Sequence, residues 1–309
     1  MPMDTATYEA LGLHLPPTKT PKSDPKGSYV PPEGDKQYNP CADASPGEDV
    51  PVGLVTQIKD WSESIIFPAT YRDIYIYTPA NLDQISEAPS LAFFNDGAGY
   101  VDAKGPVRAA KVIDSLIHAG EIPPTVGVFV NPGQPIDKDA AMPVGQRSFE
   151  YDSVTPAFIN FINEEILPLV EKHLGRALST DPAQRLICGM SSGGICAFTA
   201  AWHSPQSFGL VLSHCGSFTN IRGGHNFPYL VRNREAKPIK VFLQSGEQDL
   251  NVSFGNWAIA NQDMAAALEY SGYDYKFVFG EGTHSLRHGG AIFADSLRWL
   301  FGKTDESSS

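Results

Sequence analysis

The chain has 309 residues, 42% of them hydrophobic and 19% charged, with a formal net charge of −12. That length suits one large domain or two small ones, with ample material for a core. Gly and Pro follow no period, which excludes a collagen-like fibre, and an acidic chain without a Lys/Arg cluster is not expected to bind nucleic acid.

Residues 1 to about 50 are rich in Pro, Gly, Lys and Asp and are expected to form an irregular arm. Met1 to Leu15 lacks a basic stretch followed by an apolar run, and no apolar run approaches membrane-spanning length. The expectation is a cytoplasmic protein without a membrane partner. The cysteines form no CxxC or Cys/His zinc spacing, so reduced thiols are expected at Cys41, Cys188, Cys196 and Cys215.

Gly53–Trp61 and Tyr71–Pro79 are expected as early strands, the second with the alternation of Ile74 and Ile76 against Tyr75 and Tyr77. Short apolar runs follow at Leu91–Phe94, Val126–Val130, Arg185–Cys188, Leu210–Leu212, Lys240–Leu243 and Tyr275–Phe279, as expected of strands buried on both faces. Helix-like segments separate many of them: Gly105–Ala119, Pro156–His173, Gly193–His203, Asn256–Tyr270 and Gly289–Leu300. This alternation predicts a mostly parallel sheet with helices on both faces, spanning residues 51–303, and a frayed tail over 304–309. In such sheets function gathers at the carboxyl ends of the strands.

After Arg185–Cys188 comes Gly189-Met190-Ser191-Ser192-Gly193-Gly194, then a helical stretch. This is G-x-S-x-G between a strand and a helix, the nucleophile elbow of the α/β-hydrolase fold, with Ser191 as nucleophile. Ser192 is the alternative but lacks the symmetrical Gly flanks. A serine hydroxyl needs a base to take its proton. His284, in the Gly-rich turn Gly280–His284 after the last strand, is the expected base, with His288 as alternative. The acid belongs after the strand between serine and histidine: Asp249 first, then Glu247 and Asp263. The N–H of Ser192 is the expected first oxyanion donor. The second is expected from Gly97, Ala98 or Gly99, in the turn after Leu91–Phe94, with Tyr100 capping the pocket. The loops Pro132–Arg147 and Ser217–Arg234 are expected to shape the substrate pocket.

These motifs resemble the enterochelin (ferric siderophore) esterase family and the related esterase D group of α/β-hydrolases, over roughly Ala69 to Phe301. The densest part comprises Arg147-Ser148-Phe149-Glu150, Glu165-Ile166-Leu167-Pro168, Gly189–Gly194, and Phe208-Gly209 through Gly216-Ser217. Later, Gly246-x-x-Asp249 and Gly282-Thr283-His284 match, with Thr283 where the family has a second Gly, and Asp96-Gly97 matches the oxyanion turn. The siderophore enzymes often carry an extra N-terminal domain and a Trp near the oxyanion turn; here there is a short arm, and Tyr100 takes roughly that place. The resemblance implies a serine esterase acting on a small-molecule ester without metal or organic cofactor. It also implies that Arg147 and Glu150 border the site, Arg147 holding the substrate. Feruloyl and other carbohydrate esters, lactones, and acyl transfer to another alcohol are alternatives on the same residues. A catalytically silent binding protein is the alternative of another class. Many members of this fold pair as homodimers, and no feature of the sequence decides this.

Overall fold

The computed structural model describes residues 33–80, 82–137 and 145–302. Most of the expected arm (1–32), the tail 304–309, and part of the expected pocket loop Pro132–Arg147 lie outside the described residues.

The strands are β1 (Leu54–Trp61), β2 (Thr70–Thr78), β3 (Ser90–Asn95), β4 (Thr125–Val130), β5 (Gln134–Pro135), β6 (Arg185–Met190), β7 (Leu210–His214), β8 (Lys240–Gln248), β9 (Asn251–Val252), β10 (Gly255–Asn256) and β11 (Tyr275–Thr283). The helices are α1 (Gly97–Val101), α2 (Ala109–His118), α3 (Gln146–Tyr151), α4 (Ala157–Phe161), α5 (Leu167–Leu174), α6 (Ser192–His203), α7 (Phe227–Arg232), α8 (Trp257–Tyr270), α9 (Leu286–Ala291) and α10 (Phe293–Phe301).

The central sheet runs β1-β2-β4-β3-β6-β7-β8-β11, with β5 pairing β2 off this path. The β1–β2 and β2–β4 pairs are antiparallel, and every pair from β4 through β11 is parallel. Parallel strands buried on both faces explain the continuous apolar runs. Successive side chains on a strand point to opposite faces. Thus Phe93, Val128, Ile187 and Val211 join the core beneath α4–α6 and α8. Their neighbours Phe94, Phe129, Cys188 and Leu212 join the core beneath α2 and α10. Each such buried side chain contributes about 1.5–3 kcal/mol of hydrophobic stabilisation.

The fold is the expected α/β-hydrolase type, and the sequence pattern locates all eight strands of the main path, though β8 and β11 run on to Gln248 and Thr283, beyond the expected Leu243 and Phe279. Two helices differ. Pro156–His173 forms α4 and α5 joined by a π-helical turn at Ile162–Ile166. Pro168 has no N–H to give to the carbonyl four residues back, and the backbone widens just before it. Gly289–Leu300 breaks at Ile292, which leaves helical dihedrals between α9 and α10 (φ −110°, ψ 10°). Among the described residues, no helix is long and apolar enough to cross a membrane. All four cysteines are free thiols.

Candidate active site

The site lies at the carboxyl ends of β3, β6, β7, β8 and β11. Ser191 sits between β6 and α6 with φ 59° and ψ −121°, a conformation rare for a residue with a Cβ. Glycines make that turn possible. A Cβ on Gly189 would collide with the carbonyl of Gly193, and one on Gly193 would come 3.0 Å from the Asp96 carboxylate. The turn is also tied to the next strand, where Ser191 N–H donates to the His214 carbonyl at 2.9 Å.

Ser191 Oγ lies 2.8 Å from His284 Nε2, and His284 Nδ1 lies 2.5 Å from Asp249 Oδ1. The Asp249 side chain is fully buried, and His284 is slightly exposed. Asp249 also accepts from Ser245 Oγ at 2.8 Å and from Leu250 N–H at 2.7 Å. Burial pushes its pKa up, but the bonds from His284, Ser245 and Leu250 and the nearby imidazole outweigh this and hold it below the usual carboxylate range. With Asp249 ionised, Nδ1 carries the proton and Nε2 faces Ser191 as acceptor. The other candidates do not reach this chain. Glu247 and Asp263 are exposed. His288 is buried, with Nδ1 3.0 Å from Gln244 Nε2.

Two neighbours complete this cluster: Ser217, at the start of the expected pocket loop, and Trp257, not singled out in the sequence. Ser217 Oγ lies 3.3 Å from Ser191 Oγ and accepts from Trp257 Nε1 at 3.1 Å. The Trp257 ring meets His284 edge-on, 5.8 Å between centroids. Because Trp257 fills an acceptor site of Ser217, the Ser217 proton is free to point at Ser191. With Ser217 as the donor to Ser191, the Ser191 proton is left for His284.

On the other side of the elbow, Asp96 adopts a left-handed conformation (φ 52°) and opens α1. The Arg147 fork holds it through Nε to Oδ1 and Nη2 to Oδ2, both 2.8 Å. Arg147 thus borders the elbow, but its fork is engaged by protein rather than open to a ligand. Burial pushes the Arg147 pKa down, but Asp96 more than offsets this, so the guanidinium stays charged. Ser192 heads α6, whose first N–H groups have no intrahelical acceptor. The Ala98 N–H donates to Asn131 Oδ1 at 2.9 Å, and that of Gly99 donates to the Asp96 carbonyl at 3.0 Å. Gly97 is packed so tightly on β4 that a Cβ would collide with the backbone of Phe129.

Arg147, expected to hold the substrate, instead holds Asp96, and the two other expected substrate contacts are also corrected. Tyr100 does not cap the pocket. It is fully buried, with its hydroxyl 2.9 Å from Nδ1 of the equally buried His214. Helix α1 turns its aromatic position into the core formed with Phe94. Glu150 is also sealed away: Arg72 Nη1 and Nη2 donate to its two oxygens at 2.7 and 3.0 Å, and both side chains are fully buried. Gln146 Nε2 at 2.8 Å and Gly133 N–H at 3.2 Å complete its shell. Glu150 therefore anchors α3, the helix that carries Arg147. Asp152, at the C-terminal end of the same helix, is buried near Ser148, Ser192, Arg147 and Arg222. Burial raises its pKa by more than these neighbours lower it.

Cys215 Sγ, an Asp249 oxygen and a His284 ring nitrogen lie within 4.8 Å of one another, a trio with the chemistry of metal ligands. However, Asp249 and His284 are already bonded to each other. The Cys215 thiol is held well above its ordinary pKa by burial and by the Asp249 charge, which opposes the thiolate that a metal needs.

A family model described as "Putative esterase" matches residues 69–299. The iron(III) enterobactin esterase of Dickeya dadantii is 27% identical over 268 residues, 82% of this chain and 56% of that protein. The protein of the same name from Escherichia coli K12 is 28% identical over 232 residues, 72% of this chain and 53% of its own. This chain thus spans about half the length of the curated relatives it matches. Among solved structures, the enterobactin esterase of Shigella flexneri superposes with a TM-score of 0.62 at 25% identity, covering 83% of this chain and 62% of the other. A ferulic acid esterase of Anaeromyces mucronatus shares the fold, with a TM-score of 0.64 at 18% identity, covering 86% and 97%.

Proposed function

The chain belongs to the esterase family, and from that premise we propose that it is a serine hydrolase cleaving a carboxylic ester of a small molecule through an acyl-enzyme. The observation that carries this reading is the unbroken line of hydrogen bonds from Asp249 through His284 to Ser191.

In this mechanism Ser191 Oγ attacks the ester carbonyl and gives its proton to His284 Nε2. Asp249 keeps the imidazole oriented and stabilises the imidazolium as it forms. The carbonyl oxygen becomes an oxyanion, held by the N–H groups of Ser192 and Ala98. Ala98 already donates to Asn131, a neutral acceptor that an oxyanion outcompetes, because charge-assisted bonds are stronger. Gly97 contributes by allowing the turn to lie flat on β4. His284 then protonates the departing alcohol. It next deprotonates a water that attacks the acyl-serine and releases the acid. No step needs a metal or organic cofactor.

The substrate of this reading is a siderophore-type ester, after the enterobactin esterases that the chain is similar to. Arg222, 5.7 Å over the partly exposed Phe149 ring, sets a positive charge beside an aromatic surface. Four free thiols fit work in the cytoplasm. The test is hydrolysis of p-nitrophenyl butyrate, followed by a panel of siderophore, feruloyl and lactone esters, by wild type and Ser191→Ala. Removing the nucleophile should lower kcat/KM by about 10⁴-fold or more while the melting temperature is retained. Equal turnover by the two proteins would sink the proposal.

A further inference from the structure

The segment that precedes β1 reaches across to the histidine loop. Residues Glu33–Asp35 form a single 3₁₀ turn, and Asp35 is fully buried although it carries a charge. Its carboxylate accepts three hydrogen bonds from the two residues that flank His284. Thr283 N–H and Thr283 Oγ1 donate at 2.8 and 2.6 Å, and Ser285 Oγ donates at 2.8 Å. Burial pushes the Asp35 carboxyl up, but these bonds and the charge of Arg287 more than offset it, so it stays ionised.

The neighbouring residues reinforce this grip. Gly34 lies so close to the loop that a Cβ there would collide with the Glu281 carbonyl. Tyr38 Oη accepts from Glu281 N–H at 3.1 Å, and its ring stacks on His288, 4.1 Å between centroids. Cys41 N–H reaches the Gly290 carbonyl at 3.4 Å. Contacts from this one segment therefore bracket His284 on both sides. Asp249 fixes the ring of His284 but makes no bond to the backbone on either side of it.

We propose that Asp35 is a positioning residue: by clamping Thr283 and Ser285 it holds the backbone of His284 where the imidazole meets Ser191. This rests on the reading of His284 as the base. Misplacing a catalytic group by about 1 Å costs on the order of a hundredfold in rate. The clamp is thus expected to act on turnover and to leave substrate binding alone.

The test uses the full chain carrying Asp35→Asn, which keeps the shape but removes the charge and one acceptor. Expected are a fall in kcat for p-nitrophenyl butyrate on the order of ten- to a hundredfold, a KM within about twofold, and slower fluorophosphonate labelling of Ser191. Thr283→Val attacks the clamp from the other side. The double variant should lose little more than the worse single one, because both break one interaction. An unchanged kcat in folded Asp35→Asn, a rise in KM alone, or additive losses would overturn the proposal. A readout independent of turnover is the downfield proton NMR signal of His284 Nδ1–H, assigned by its loss in His284→Ala. It should broaden or vanish in Asp35→Asn, and its persistence unaltered would contradict the clamp. A wild type that resists labelling, yet loses this signal in Asp35→Asn, would keep the clamp and remove the hydrolase reading.

Discussion

The turn after β6 and the turn after β11 meet at one hydrogen bond, between Ser191 and His284, yet they are held in place by different means. The first turn takes its shape locally. Its positive-φ serine, its flanking glycines and the helix that starts at Ser192 all lie within six residues. The second turn is fixed from a distance, by Asp249 on the neighbouring loop and by Asp35, about 250 residues earlier in the chain. A nucleophile can be built into a short motif because what it needs is a backbone shape. A base has to arrive at the nucleophile from elsewhere, so its placement depends on long-range contacts.

The variants that probe this difference span a wide range of effect. Ser191→Ala should have the largest, the loss of about 10⁴-fold or more in kcat/KM given above, and adding His284→Ala should cost little further because the two act as a unit. Additive losses would mean that the two turns do not work together. Next is Glu150→Ala. It strands the buried Arg72 guanidinium and should destabilise the fold by about 3–5 kcal/mol, read as a lower urea midpoint. Since α3 also carries Arg147, the Asp96 turn should loosen with it. A loss under about 1 kcal/mol would show that the ion pair is dispensable.

A smaller effect is expected at Trp257, whose indole N–H orients Ser217 beside the nucleophile. Trp257→Phe removes one neutral hydrogen bond, about 0.5–1.5 kcal/mol, and should slow turnover by about two- to tenfold. No change in kcat would mean that Ser217 needs no such orientation. The smallest effect near neutral pH concerns His214 under the elbow. Burial first, then the proximity of His288, lowers its pKa from 6.5 to about 3. Between those values the unfolded chain binds the proton and the folded one does not. His214 therefore withdraws stability as pH falls from about 6.5 toward 3. In His214→Gln the melting temperature should depend less steeply on pH across that window, and an unaltered slope would mean that His214 takes up its proton in the folded protein.

Legibility in the sequence follows the same division. The strands of the sheet were readable because each is a short apolar run buried on both faces, and the elbow because its glycines are adjacent in sequence. Chain order pointed to His284 and Asp249, and the geometry brings both to Ser191. Tyr100 and Glu150 lie elsewhere than expected: the place of Tyr100 after the oxyanion turn and the motif that holds Glu150 both suggest a pocket, and nothing nearby in sequence reveals their partners. His214 lies 114 residues from Tyr100, and Arg72 lies 78 from Glu150. Asn131 and Ser217 carried a usable signal, since each follows the carboxyl end of a parallel strand, where such folds gather function. Asp35 carried none, because it lies in a stretch whose composition suggests only an irregular arm.

The most direct measurement is intact mass after treatment with a fluorophosphonate probe, on wild type and Ser191→Ala, with peptide mapping of the adduct. A single adduct on Ser191, absent from the variant, is the predicted result and identifies an activated serine. An unmodified wild type, or an adduct on another residue, would contradict the account at its centre.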